Sequence, residues 1–482
     1  MQQSDLLALI KKIPSQEFDE IGKFIRCTAI FKSKQYAIAA RLLELLADAA
    51  PEYTEAKTKK EYIYRKLFVQ EQFTKGKIEK VMVDLRKALE TYLLFKKYFH
   101  EDNELMQTID LAEVYREKKM ELRHQQAIKQ ALEIQQEKQA KSLNYYQDQF
   151  DLDWEIHTSQ SNNNTELGDV HIPQTLQSLN IAYYSIQTEL YNRLLLQNKS
   201  TPLSCMEQLD DMPEPPGKYQ EASVVLKLNV LINNLLKASH IATESFNDLH
   251  KLLLENESQI DPDLQKAYYA YLKNICLIAV RTGNLELKET YDQLVIQTLE
   301  KGFLTYDGLI PYRSFHNVVL AALRLKKQDW LYQFLTTNKD TIQGNTPENP
   351  FHDYFMALYY FSIKNYDEAF RFLPVDLHDV AFSYNVRRLE VMLYYETNSN
   401  IFFHKMDAFK MLLSRSGKKN LSDEFYRPLM TNFINFLYQI SSSLPGDKAR
   451  SEKICDRILA EPRVADRDWL LEKAREIGSR KK

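Results

Sequence analysis

Between residues 266 and 415 the chain repeats one local pattern four times: an apolar-faced stretch, a short polar break, and a second apolar-faced stretch. The clearest copy is ALYYFSIKNYDEAF, residues 357–370. ALYYFSIK has the apolar face of a helix. Asn365 then offers an N-cap side chain, and Glu368 stands three residues on, where a capping-box partner belongs. A cap in mid-stretch ends one helix and begins another. The segment therefore predicts two antiparallel helices joined by a tight polar turn. Three further turns are expected at 282–284, 326–328 and 397–400. With turn centres at 283, 327, 365 and 398, the steps are 44, 38 and 33 residues, irregular but in the range of helical-hairpin repeats. Tyrosine pairs at 183–184, 268–269, 359–360 and 394–395 each fall on a first helix of such a unit. A large aromatic there fills the gap to a neighbouring hairpin.

Glycine use points the same way. There are 11 glycines in 482 residues, and tight β-turns and phosphate-cradling loops both consume glycine for positive φ. An all-α chain is expected. Residues 1–97 predict a compact helical module with segments at 5–12, 16–26, 35–49 and 61–68, punctuated by Pro14 and Pro51. Its last helix is the most regular, with Ile78, Val81, Met82, Leu85, Leu89, Tyr92 and Leu93 on one stripe and Thr74 placed to cap it. Residues 98–220 predict long polar helices, without a strict heptad, broken by loops at 157–173 and 198–220. Helical hairpins fill 221–445, and 446–482 form a helical cap with a basic tail.

ALYYFSIKNYDEAFRFL resembles a tetratricopeptide (TPR) repeat. Ala357 and Tyr360 match the small and aromatic positions of the family's first helix, and Tyr366 and Ala369 those of its second. The interval of twelve between the alanines is the family's spacing. Asp353 and Pro374 depart from the pattern, and the other hairpins match in outline only. The resemblance implies an irregular α-solenoid whose concave wall binds a protein or peptide. On that reading Phe351, Tyr354, Leu358 and Phe361 face the groove, and Arg387 and Arg388 set the register of the bound segment.

Residues 57–97 carry twelve Lys or Arg and five acids, a local charge of +7 against −3 for the whole chain. In outline they resemble the helical core of winged-helix DNA-binding domains that precede TPR-like arrays in some bacterial transcription regulators, though the β-wing is missing. The resemblance implies phosphate or base contacts from Lys75, Lys77 and Lys80, with Arg86 and Lys87 on the same basic face. Nucleic acid is thus the alternative partner.

The chain has no GxGxxG, GxxxxGK[ST], GxSxG or HExxH, and no two histidines stand at i, i+4. His404, among aromatics, reads as structural. No catalytic residue, cofactor or metal is therefore expected. Cys27, Cys205, Cys276 and Cys455 are far apart, as in a reduced cytoplasmic protein. No signal peptide or membrane-spanning run is read. The resulting expectation is a non-enzymatic cytoplasmic interaction scaffold.

Overall fold

The computed structural model describes residues 4–27, 30–31, 35–69, 71–74, 76–163, 171–200, 214–415 and 421–479. Among them are 24 α-helices, and the only named strands are two residues long: β1 (Ile310–Pro311) lies parallel to β2 (Ile342–Gln343), Ile310 beside Ile342. The fold is all-α. By packing, the chain divides into two compact units.

The first unit comprises 1–189, 213–227 and 258–260. Its N-terminal part holds α1 (Asp5–Ile10), α2 (Phe18–Ile25), α3 (Gln35–Ala47), α4 (Glu55–Thr58), α5 (Lys60–Leu67) and α6 (Lys77–Tyr98) around one apolar core. The expected stripe of α6 is buried except for Leu93, which is exposed, and Ala88 joins it. The helix starts later than the sequence suggests. Gly76, at φ 91°, is the N-cap, and Glu79 Oε2 accepts its N–H at 3.0 Å, while the Thr74 hydroxyl turns back to Gln72 O. Then follow α7 (Glu104–Glu117), α8 (Glu121–Glu137), α9 (Leu143–Asn163) and α10 (Ile172–Ser200), of which 172–189 belong to this unit. Leu105, Ile109, Ala131 and Leu152 make a small core among α7, α8 and α9. The loop expected at 157–173 is helical at both ends. The Thr158 hydroxyl donates to Trp154 O at 2.8 Å, and the His157 and Trp154 rings pack 5.7 Å apart, so polar residues continue α9. The middle of that loop (164–170) and most of the second (201–213) lie outside the described residues. α11 (Gly217–Ala222) and the start of α12 (Val224–Lys237) also belong to this unit.

The second unit comprises 190–212, 228–257 and 261–482. It contains α13 (Thr243–Asn256), α14 (Pro262–Arg281), α15 (Leu287–Glu300), α16 (Tyr312–Arg324), α17 (Gln328–Thr337), α18 (Phe351–Ser362), α19 (Tyr366–Phe372), α20 (Val380–Glu396), α21 (Phe402–Arg415), α22 (Leu421–Ser441), α23 (Lys448–Ala460) and α24 (Arg467–Ser479). All four expected turns occur, at α14/α15, α16/α17, α18/α19 and α20/α21. Asn365 caps α19, accepting the Glu368 N–H at 3.3 Å. Within 446–482, α23 and α24 share one apolar core with α20, α21 and α22.

One device closes all four first helices. Gly283, Lys326, Lys364 and Asn398 have positive φ, and the N–H after each reaches back five residues to a helix carbonyl: Asn284 to Ala279, Lys327 to Ala322, Asn365 to Tyr360 and Ser399 to Tyr394, at 2.9–3.1 Å. This is the Schellman cap, which glycine suits best. Only one of the four positions has it. Lys326→Gly and Lys364→Gly are each expected to stabilise the fold by about 0.5–1 kcal/mol, because relief of left-handed strain exceeds the added chain entropy. Urea unfolding of each variant checks this.

Candidate functional site

The helices α7 to α10 place polar side chains inward. A tight turn at Lys119, φ 54°, folds α8 back on α7 and brings Arg116 near His124. Both reach Glu155 of α9. Arg116 Nε and Nη2 donate to its two carboxylate oxygens at 2.8 and 2.9 Å, and His124 Nε2 lies 3.2 Å from Oε1. The Glu155 hydrogen bonds raise the pKa of the Arg116 guanidinium. Beside this cluster, His171 Nε2 lies 3.2 Å from buried Asp153, and the Thr175 hydroxyl is 3.3 Å from Asp153 O. Both oxygens of Glu155 are engaged, so the cluster's evident work is to clamp three helices together. A groove of about 410 Å³ adjoins it, lined by His124, Ile128, Leu132 and Ile156 among others. Among the described residues no group of three or more His, Cys, Asp or Glu is arranged to hold a metal ion.

The same inversion is stronger on α10. Its buried side consists of Thr175, Ser178, Ile181, Ala182, Ser185, Thr188 and Glu189, with Ser185 fully enclosed. Its outward side carries Ile172, Leu176, Leu179 and Tyr183, with Leu176 and Tyr183 each 53% exposed, and Ile186 half-buried on the same line. A surface helix ordinarily does the reverse. Three hydroxyls of the inward polar face bond back to carbonyls of the helix itself, which lowers the cost of burying it. Thr175 donates to His171 O at 3.0 Å, Ser178 to Thr175 O at 3.0 Å and Thr188 to Tyr184 O at 2.6 Å. Small residues there also let the neighbouring helix approach closely. No such compensation exists for the outward leucines, which lose hydrophobic free energy in water.

The expected groove positions lie elsewhere, and three of the four are covered. Phe351 is buried with its ring stacked 4.2 Å from Tyr312, Tyr354 is 0% exposed beside Phe382 and His316, and Leu358 is buried in the same core. The physical reason is α20, whose Phe382 inserts among these rings. Phe361 is half-buried against Tyr366, ring centroids 5.8 Å apart. Arg387 donates to Glu390 at 3.2 Å and Arg388 pairs with Asp466 at 2.8 Å, so both arginines are held by acids of the same unit.

On the basic helix, Lys75 lies outside the described residues. Lys77 pairs with Glu71 and sits 4.2 Å over the Phe68 ring. Arg86 lies 3.6 Å from Glu90 and 3.9 Å from Asp5. Lys80 and Lys87 are exposed. Lys60–Glu79 and Lys96–Glu17, both 2.8 Å, absorb further positive charge. Of these acids only Asp5 and Glu17 lie outside 57–97, so they alone offset part of the +7 surplus.

A lysine that the sequence did not single out lines a second cavity, of about 220 Å³, with Asn274, Tyr291, Ser314 and Asn317. Lys273 Nζ donates to Thr298 Oγ1 at 3.3 Å, and burial pushes its pKa down to about 8. This folded value lies below that of the unfolded chain. Its contribution to stability is therefore fully present above the unfolded pKa and is lost as pH falls toward 8. Lys273→Met should be more stable than the parent at pH 7 by about 1–2 kcal/mol, a gain that shrinks toward pH 10. Urea midpoints at the two pH values check this.

No helix among the described residues is long and apolar enough to cross a membrane. Comparison of the chain with family models, with curated proteins and with solved structures gave no match.

Proposed function

We propose that this chain is a non-enzymatic protein-interaction scaffold whose docking face is the outward side of α10. The observation that carries this reading is the apolar line Ile172, Leu176, Leu179, Tyr183 and Ile186, set outward on a helix whose buried side is polar. Exposed apolar patches of this kind mark interaction sites on soluble proteins. A rigid helix presenting anchors at this spacing suits a helical partner. The second unit supplies the frame of the scaffold, as an irregular TPR-like series of hairpins. In its favour are the four hairpins with one cap geometry and the full burial of Ala357 and Ala369, where α18 and α19 meet.

The test is a photo-crosslinking amino acid at position 183 of the full chain, illuminated in native lysate. A discrete protein adduct is expected, absent when the crosslinker sits at the exposed position 129 of α8, and lost when Leu176→Glu and Leu179→Glu are added. Equal labelling from positions 183 and 129 would overturn the reading.

A further inference from the structure

We infer that the occupant of the α10 face is the same face of a second copy of this chain. The inference rests on the docking reading above and gives it a partner. Three observations lead to it.

The first is spacing. Residues 172, 176, 179, 183 and 186 follow steps of four, three, four and three, the heptad seam along which two helices interlock side chains. A partner with the same seam fits it, and a copy of this chain has that seam by construction. Pairing antiparallel about Leu179 sets Leu176 against Tyr183 of the second copy and Ile172 against Ile186, so the bulky ring meets a leucine at both ends of the contact.

The second is charge. In a chain with 129 Lys, Arg, Asp and Glu residues, none occurs from 172 to 188, and the first that follows, Glu189, is buried. A helix lying on a lipid surface carries Lys and Arg along its polar margin. A charged partner peptide would find nothing here to complement it. Two copies of a neutral face meet without like-charge repulsion, and in a two-fold interface each patch is its own complement.

The third is area. Five large side chains, four of them about half exposed, offer on the order of 400 Å² of apolar surface, within the range of the largest patch on a typical monomer. Doubling by the two-fold, with the uncharged flanks Gln177, Asn180 and Gln187 included, brings the contact to about 1,000 Å², the lower bound for a specific interface. A reversible dimer in the micromolar range follows, not a permanent one.

Sedimentation equilibrium of the purified full chain, together with illumination of the purified position-183 crosslinker variant, tests this. The expected result is a concentration-dependent mass rising from 56.8 kDa toward twice that value, and a crosslinked species of two chains. The double variant Leu176→Glu, Leu179→Glu should stay at 56.8 kDa with its helical circular-dichroism signal and melting temperature at low concentration unchanged. A monomer up to about 100 μM with no two-chain species, while position 183 still captures another protein in lysate, would overturn self-pairing and leave the docking reading standing. A monomer with no adduct in either setting would overturn both.

Discussion

Replacing Arg324 with methionine is expected to lower the unfolding free energy of the second unit by about 3 kcal/mol. Arg324 ends α16 and grips Asp292 of α15 with a fork: Nε to Oδ2 at 2.8 Å and Nη2 to Oδ1 at 2.6 Å. The two sides are unequal. Asp292 is 2% exposed, whereas Arg324 reaches solvent. Losing the arginine strands a desolvated carboxylate, which costs far more than losing a surface pair. Adding Asp292→Leu to the methionine variant should recover most of the loss, because the stranded charge is then gone. Urea unfolding of the two single variants and the double closes this cycle. If Arg324→Met costs under 0.5 kcal/mol, roughly the scale of an exposed pair, the pair does not hold α15 to α16.

The second large effect separates packing from docking. Tyr354→Ala should cost about 3–5 kcal/mol, since the ring is fully enclosed and its removal leaves a cavity beside Phe382 and His316. Crosslinking from position 183 should be unchanged below the melting temperature of that variant. A groove residue would behave in the opposite way, with little loss of stability and loss of a partner.

Local features were legible in the sequence because their causes are local. Asn365 caps α19 wherever the rest of the chain goes, and the 3.6-residue apolar period of α6 survives in the fold. The outward role assigned to Phe351, Tyr354 and Leu358 failed for a non-local reason. Whether a hairpin's inner wall is open depends on what the next element covers, and α20 covers this one. Arg388 likewise looked available because its partner, Asp466, lies 78 residues on. In α10 the standard rule misleads, since it sends leucines inward. A signal was nonetheless present: Thr175, Ser178, Ala182, Ser185 and Thr188 recur at steps of three and four, a small-residue stripe beside the leucine line. Such a stripe suits close helix packing, and back-bonded hydroxyls make its burial cheap. The cluster of Arg116, His124 and Glu155 had no comparable signature, because its members come from three helices.

The outward setting of α10 is tested most directly by two charge insertions, one on its exposed line and one on its buried side. Leu179 is 41% exposed, whereas Ala182, one turn on at the edge of the buried side, is 2% exposed. Unfolding free energies measured by urea at sub-micromolar protein, where pairing between chains contributes little, should change by under 0.5 kcal/mol for Leu179→Glu. For Ala182→Glu they should fall by about 3 kcal/mol or more. The reverse order, with Ala182→Glu tolerated and Leu179→Glu unfolding the first unit, would mean that the apolar line faces the core and that no docking face exists on this helix.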